Sequence, residues 1–254
     1  MCILPPFIGF NTSTYNPQLP EEAKSSLELW LDSSNTNSVI LTNDNLTQWS
    51  DLSGNNQHLY TQSSYYPQKL SGELNGKDVI NFSSNASMRT NSNFSLSGVN
   101  AVAVFMVHKR YATINKAYEA IFSMGTETSH TGYAPCVFNT NTFAIAHSWG
   151  NIMEYTTESG YLNNWHIFSM LHPLGESTND SLFLDGAIIS TAVNTADINI
   201  GANTFKIGRW LDGTTYATSG SGLAELIILN SIPTATIRAQ IEKYLAYKWG
   251  LTLK

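Results

Sequence analysis

The sequence predicts an all-β protein: two antiparallel sheets packed as a jelly-roll sandwich, with one α-helix at the C-terminal end. Short apolar runs, many of them alternating, recur along the chain with Gly, Asn, Asp and Ser between them, the pattern of strands joined by turns. Asp185-Gly186 separates two β-rich arms, a pairing that favours a tight hairpin turn. From Ile237 the apolar residues switch to helical spacing, with Ile237, Ile241, Tyr244, Leu245 and Trp249 on one stripe.

The first 26 residues read differently from the rest. Pro5, Pro6, Pro17 and Pro20 favour an extended path. Ile3, Leu4, Phe7, Ile8 and Phe10 give this arm an apolar character, which suits either a free tail or an anchor on another surface. The stretch lacks the basic flank and long apolar centre of a signal peptide, so none is expected.

The body, residues 27–254, is expected to be one domain, since no linker, composition shift or fixed repeat divides it. Its first strand, LELWLDSS (27–34), sets Leu27, Leu29 and Leu31 against Glu28, Trp30 and Asp32. Further strands are expected at 77–84, 101–110, 119–125, 143–150, 165–172, 181–191, 204–210 and 223–230. Ser231, Thr234 and Thr236 are candidate N-caps for the terminal helix, and Gly250 is placed to end it. Trp249 then plugs the helix against a sheet.

Composition narrows the function. Charged residues make up 13% of the chain against 42% hydrophobic, so its polar surface is built largely from amides and hydroxyls. Such surfaces suit carbohydrate contacts, extracellular exposure and protein packing. A net charge of −6, with Lys109-Arg110 as the densest basic spot, argues against nucleic acid, which needs concentrated cations. Cys2 and Cys136 do not form a metal-ligand pattern, and a disulfide between them is not expected. No apolar run approaches the length of a membrane span.

The order of several pieces resembles a known family. LELWLDSS, QWSDLSGNNQHL (48–59) and NGKDVINFSS (75–84) look like the opening of a LamG-like domain of the concanavalin A-like lectin/glucanase superfamily. NNWHIFSM with SLFLDGAIIST is similar to the family's central hairpin, and FKIGRW with GLAELIILN to its closing strands. IEKYLAYKWGL looks like the terminal helix of bacterial and phage members. The similarity runs from residue 27 to 254 and implies a concanavalin A-like jelly roll.

Two kinds of site were weighed against that resemblance. Asp51, Ser53 and Asn55 could ligate calcium through oxygen, but the same residues make an ordinary self-bonded turn. The turn is the favoured reading, and no metal ligand or cofactor is assigned. The superfamily's glucanases carry paired carboxylates on one strand, and the nearest match is Glu154 to Glu158, with Thr156 at the central position. Regular strand geometry puts those glutamates about 13 Å apart, too far for a retaining mechanism without side-chain convergence. No catalytic residue is assigned, and an enzyme is not expected. His147, His166 and His172 fall in strand-like runs and are read as core or interface residues.

The leading functional expectation is a non-enzymatic structural protein of a virus particle, such as a phage fibre, tail or capsid-decoration component. Its arm would dock on another copy or on a different virion protein. The alternative is a lectin-like module exposed outside the cell, and a degenerate glycosidase comes third. For sugar binding the candidates are Tyr65, Tyr66, Trp149, Trp210 and Tyr216, whose rings can stack on sugar faces. For Trp149 and Trp210 a place in the core or at a sheet edge is the favoured reading, given how much area a Trp buries.

Overall fold

The computed structural model describes residues 18–62, 64–83, 85–111, 119–128, 130–139, 142–146, 152–156, 162–175, 178–193, 197–211 and 220–254. Alternation in β1 (Leu27–Asp32) sorts its side chains between two environments. Leu29 and Leu31 enter a core between two sheets, whereas Trp30 joins a second cluster on the outer face. One sheet face therefore packs on the other sheet, and its opposite face packs on the helix.

Among the described residues the first sheet has eight strands. Its main path runs β17 (Ala187–Val193), β16 (Asn179–Leu184), β15 (Trp165–His172), β9 (Val102–Arg110), β20 (Ser221–Leu229), β6 (Lys77–Phe82) and β5 (Gln68–Leu74). β20 pairs with β6 through its first residues and with β1 through its later ones.

The second sheet has ten strands among the described residues. It runs β14 (Ile152–Thr156), β13 (Thr142–Ala146), β12 (Gly132–Asn139), β11 (Phe122–Gly125), β19 (Lys206–Ile207), β7 (Met88–Thr90), β4 (Leu59–Thr61), β3 (Asn45–Trp49) and β2 (Val39–Thr42), with β10 (Glu119–Ala120) beside β12. A ribbon of β8 (Gly98–Val99) and β18 (Asn199–Ile200) completes the described strands. All these ladders are antiparallel, as the sequence predicts for a sandwich.

β9 and β20 read as nearly unbroken apolar runs because both of their faces are covered. Val104 and Met106 point into the inter-sheet core, while Ala103, Phe105 and Val107 lie under the helix. In β20 the pairing with β9 slips between Leu223 and Glu225. This bulge changes the phase of the strand. Leu223 and Leu226 both stay in the inter-sheet core, and Glu225 faces the helix side instead.

The helix α2 (Ala235–Trp249) follows the expected stripe. Ile241, Tyr244, Leu245 and Trp249 are buried against the outer face of the first sheet. Of the candidate N-caps it is Thr234 that serves: its Oγ1 accepts from the Ile237 N–H at 3.2 Å. Gly250 ends the helix at φ 67°, and Leu251 N–H reaches back to the Ala246 carbonyl at 2.9 Å, a Schellman closure. Asp185-Gly186 makes the expected hairpin turn, both residues at positive φ.

Residues 18–26 depart from the extended path expected of the arm. Glu21–Lys24 form one helical turn, α1, and Leu19 and Ala23 are buried in the cluster beneath α2. Residues 1–17 lie outside the described part. Strands β2, β3, β4, β5, β7, β8, β12 and β18 also escaped the sequence reading.

Candidate functional site

Asp32 and Glu225 are register partners across β1 and β20, and both are buried, at 7% and 0% exposure. Like charges directly opposite one another destabilise a strand pair. Lys248, the penultimate residue of α2, supplies the counter-ion. Its Nζ donates to Asp32 Oδ2 and to Glu225 Oε2, each at 2.7 Å.

The remaining lone pairs of Glu225 are taken by aromatic donors. Trp30 Nε1 and Tyr244 Oη donate to its Oε1 at 2.8 and 2.7 Å, and Trp249 Nε1 donates to Oε2 at 2.7 Å. Burial pushes the Glu225 carboxyl above the usual glutamate value; Lys248 opposes this and Asp32 adds to it. Burial and the neighbouring Glu225 raise the Tyr244 phenol far above its ordinary range, so Tyr244 stays a neutral donor. The network fixes Trp30, Tyr244 and Lys248 in place without help from a ligand.

Those fixed side chains form one wall of a cleft of about 600 Å³. Trp30 and Asp32 come from β1, Tyr244, Tyr247 and Lys248 from α2, Asn75 and Lys77 from the β5–β6 hairpin, and Gln18 from the segment before α1. Asn75 and Gly76 make a tight turn with φ of 49° and 70°. The Asn75 amide donates to the Lys248 carbonyl at 3.2 Å, tying this turn to the helix end. A Cβ on Gly250 would lie 2.9 Å from the Asn75 side chain, and its φ is +67°, so only glycine suits that approach. Tyr247 is 55% exposed at the rim. Aromatic faces, neutral amides and opposed charges thus meet in one concave surface, the combination that orients a polar ligand with apolar faces.

The aromatics singled out from sequence lie elsewhere. Tyr65 and Tyr66 are exposed in the loop between β4 and β5. Trp210 is half-buried against Ala120, Cys136 and Ala144, and its indole N–H donates to Glu127 at 3.2 Å. None of these three lines the cleft. Trp149 and Tyr216 lie outside the described residues, as do Glu158, His147 and the side chain of Glu154.

Asp51 forms the self-bonded turn. Its Oδ1 accepts from the backbone N–H groups of Trp30 and Ser53, and its Oδ2 from Ser53 Oγ and the Gln57 N–H. Asn55 donates from its side chain to the carbonyls of Leu27 and Glu28. This loop therefore braces the strand that carries Trp30. His172 is buried beside Asp180 at 2.8 Å, and His166 bonds Asp185 at 2.9 Å. Both occupy strand positions in the first sheet, as expected of packed histidines.

No protein-family model matches the chain, and no curated protein sequence matches it. Solved structures do. The botulinum neurotoxin serotype D ligand binding domain in complex with N-acetylneuraminic acid superposes with a TM-score of 0.64 at 12% identity, over 92% of this chain and 56% of that one. The binding domain of Paraclostridial mosquitocidal protein 1 gives 0.61 at 14% identity, over 90% and 56%. Domain 4 of AbnA, a GH43 extracellular arabinanase from Geobacillus stearothermophilus, in complex with arabinotriose, gives 0.59 at 14% identity, over 86% and 98%. The chain thus spans little more than half of the toxin domains but nearly all of the arabinanase domain. At these identities the likeness establishes the fold, a two-sheet β-sandwich.

Proposed function

We propose that this protein is a carbohydrate-binding module of the LamG-like, concanavalin A-like kind, holding a saccharide in the cleft between β1, the β5–β6 turn and α2. The observation that carries this reading is the prebuilt wall of Trp30, Tyr244 and Lys248, locked to buried Glu225. A pocket fixed before binding spends little entropy on ordering itself. Tyr247 offers an exposed ring for stacking, and Gln18, Asn75 and Lys77 supply hydrogen-bonding heads. Two of the similar sandwiches are complexes with sugars, which supports the same use of the fold here.

The reading is one of binding without chemistry. Asp32 and Glu225 are both committed to Lys248, and a carboxylate so held is poorly placed to shuttle protons. The proposed setting remains a virus particle, with the apolar arm docking on another copy or another particle protein; the alternative is display at a cell surface. Titration against a panel of neutral and acidic oligosaccharides tests the binding. One or more should bind, and Tyr247→Ala should weaken that binding without lowering the melting temperature. Failure of every saccharide to bind, or unchanged affinity in the variant, would overturn the assignment to this cleft.

A further inference from the structure

The described lining of the cleft at α2 holds three charged side chains, Asp32, Lys77 and Lys248. Two of them are fully engaged by the fold. Asp32 Oδ1 accepts from the Ser34 N–H and hydroxyl at 2.9 and 2.7 Å, and its Oδ2 accepts from Lys248. Lys248 donates to Asp32, to Glu225 and, at 3.0 Å, to Tyr244 Oη, which uses all three hydrogens of its ammonium. Neither side chain has capacity left for a ligand.

Lys77 is different. It opens β6 directly after the Asn75-Gly76 turn, and Val79, two residues on, is buried in the cluster beneath α2. Alternation therefore puts Lys77 on the helix side of the sheet, away from the inter-sheet core. Its side chain is half-buried and makes no hydrogen bond or ion pair among the described residues. The adjacent Asp78 is committed to Lys69 at 2.9 Å and to the Gly72 N–H at 3.1 Å. Residues 1–17, which precede Gln18 of the cleft lining, contain no Asp or Glu. A half-buried ammonium loses part of its hydration, and here no contact within the fold compensates for it. That charge is left for a ligand.

We infer that the cleft selects acidic saccharides, Lys77 Nζ donating to a carboxylate or sulfate on the sugar; the inference rests on the reading of this cleft as a saccharide site. Gln18, Tyr247 and the Asn75 carbonyl oxygen can meet ring hydroxyl groups, which both donate and accept. Lys77 only donates, so it distinguishes a carboxylate from the alcohol that replaces it in a neutral sugar. The Asn75 bond to the Lys248 carbonyl holds the turn from which Lys77 projects, so the ammonium is presented from a fixed backbone. The chain's net charge of −6 opposes anions at long range. Charges beyond about 8 Å are largely screened at physiological salt, so the cation inside the cleft decides.

Calorimetry on the full chain at constant ionic strength tests this with matched pairs: trigalacturonic acid and its methyl ester, glucuronic acid and glucose, N-acetylglucosamine 6-sulfate and N-acetylglucosamine. Sodium acetate and sodium sulfate serve as bare anions. At least one acidic member should bind about ten-fold more tightly than its neutral counterpart, the usual worth of a charge-assisted hydrogen bond. Lys77→Met should bring that ratio close to one, and Lys77→Arg should keep it well above one because the charge remains. Tyr247→Ala should weaken both members of the pair, which places them in the same cleft. The Lys77 ammonium has no partner to lose, so both of its substitutions should leave the melting curve unaltered. Equal binding within every pair, or a ratio that survives Lys77→Met, would overturn the selectivity and leave the saccharide site standing. Failure of every sugar to bind would overturn the site and its selectivity together. Acetate or sulfate binding as tightly as the acidic sugars would overturn the saccharide assignment and leave a bare anion site.

Discussion

Asp32 and Glu225 face each other in register across β1 and β20, and one lysine from the terminal helix bridges the pair. The link joins three parts of the chain that no local pattern connects. Removing Lys248 leaves two buried carboxylates side by side. Lys248→Met should therefore destabilise the fold by about 3–5 kcal/mol, the range for breaking a buried ion pair from one side. Urea unfolding measures it. Adding Asp32→Asn should restore part of the loss by removing one of the stranded charges, whereas simple additivity of the two changes would refute the coupling.

Trp249 closes the same network from the helix end. Its side chain is fully buried and donates to Glu225 at 2.7 Å. Trp249→Ala opens a cavity and removes one of the two donors to Glu225 Oε2, so a loss of about 3–5 kcal/mol is expected. Trp249→Phe fills most of the space but lacks the donor, and should fall between the two. A melting temperature unchanged in Trp249→Ala would show that the helix does not secure the sheet.

Much of this arrangement was legible in the sequence, and the reason is locality. The β1 alternation, the Asp185-Gly186 turn and the stripe on α2 each depend on a few neighbouring residues. β5 was missed because QKLSGEL lies at the sheet edge and is largely exposed, so it lacks an alternating apolar face. β12 was missed because Pro135 falls inside it, and proline usually argues against a paired strand. The site was harder to see, since Trp30 meets Glu225 across 195 residues of sequence. One signal was present: an acid within the apolar run LAELIIL demands a buried partner. The run does not name that partner.

His108 predicts an acid limit to stability. It is fully buried, hydrogen-bonded to Ser221 and edge-on to Phe168. Burial, aided by Arg110 and His166, lowers its value from 6.5 to about 3. The folded protein therefore keeps His108 neutral, while the unfolded chain takes up a proton near 6.5. Its contribution is complete above 6.5 and is lost as pH falls from there toward about 3. Within that window the dependence approaches about 1.4 kcal/mol per pH unit for one proton. His108→Gln cannot titrate, so its stability should fall less steeply between pH 6 and pH 4 (about two units of that window). Parallel profiles for the two proteins would show that another group sets the acid limit.

The arm separates stability from assembly. Leu19 and Ala23 are part of the cluster beneath α2, so the segment from residue 18 belongs to the folded body in an energetic sense. A chain beginning at Gln18 should melt like the full protein. A chain beginning at Leu27 should be less stable by about 1.5–3 kcal/mol, the burial of one large aliphatic side chain such as Leu19. Residues 1–17 are proposed to act on a different surface. Their prolines favour an extended path, and an extended segment of that length reaches about 60 Å, enough to cross onto a neighbouring subunit. Both truncations should then lose self-association or particle incorporation, read by light scattering and co-sedimentation, while only the second loses stability. Assembly that persists in the chain beginning at Gln18 would remove the docking role from residues 1–17, and with it the sequence-based case for a particle component.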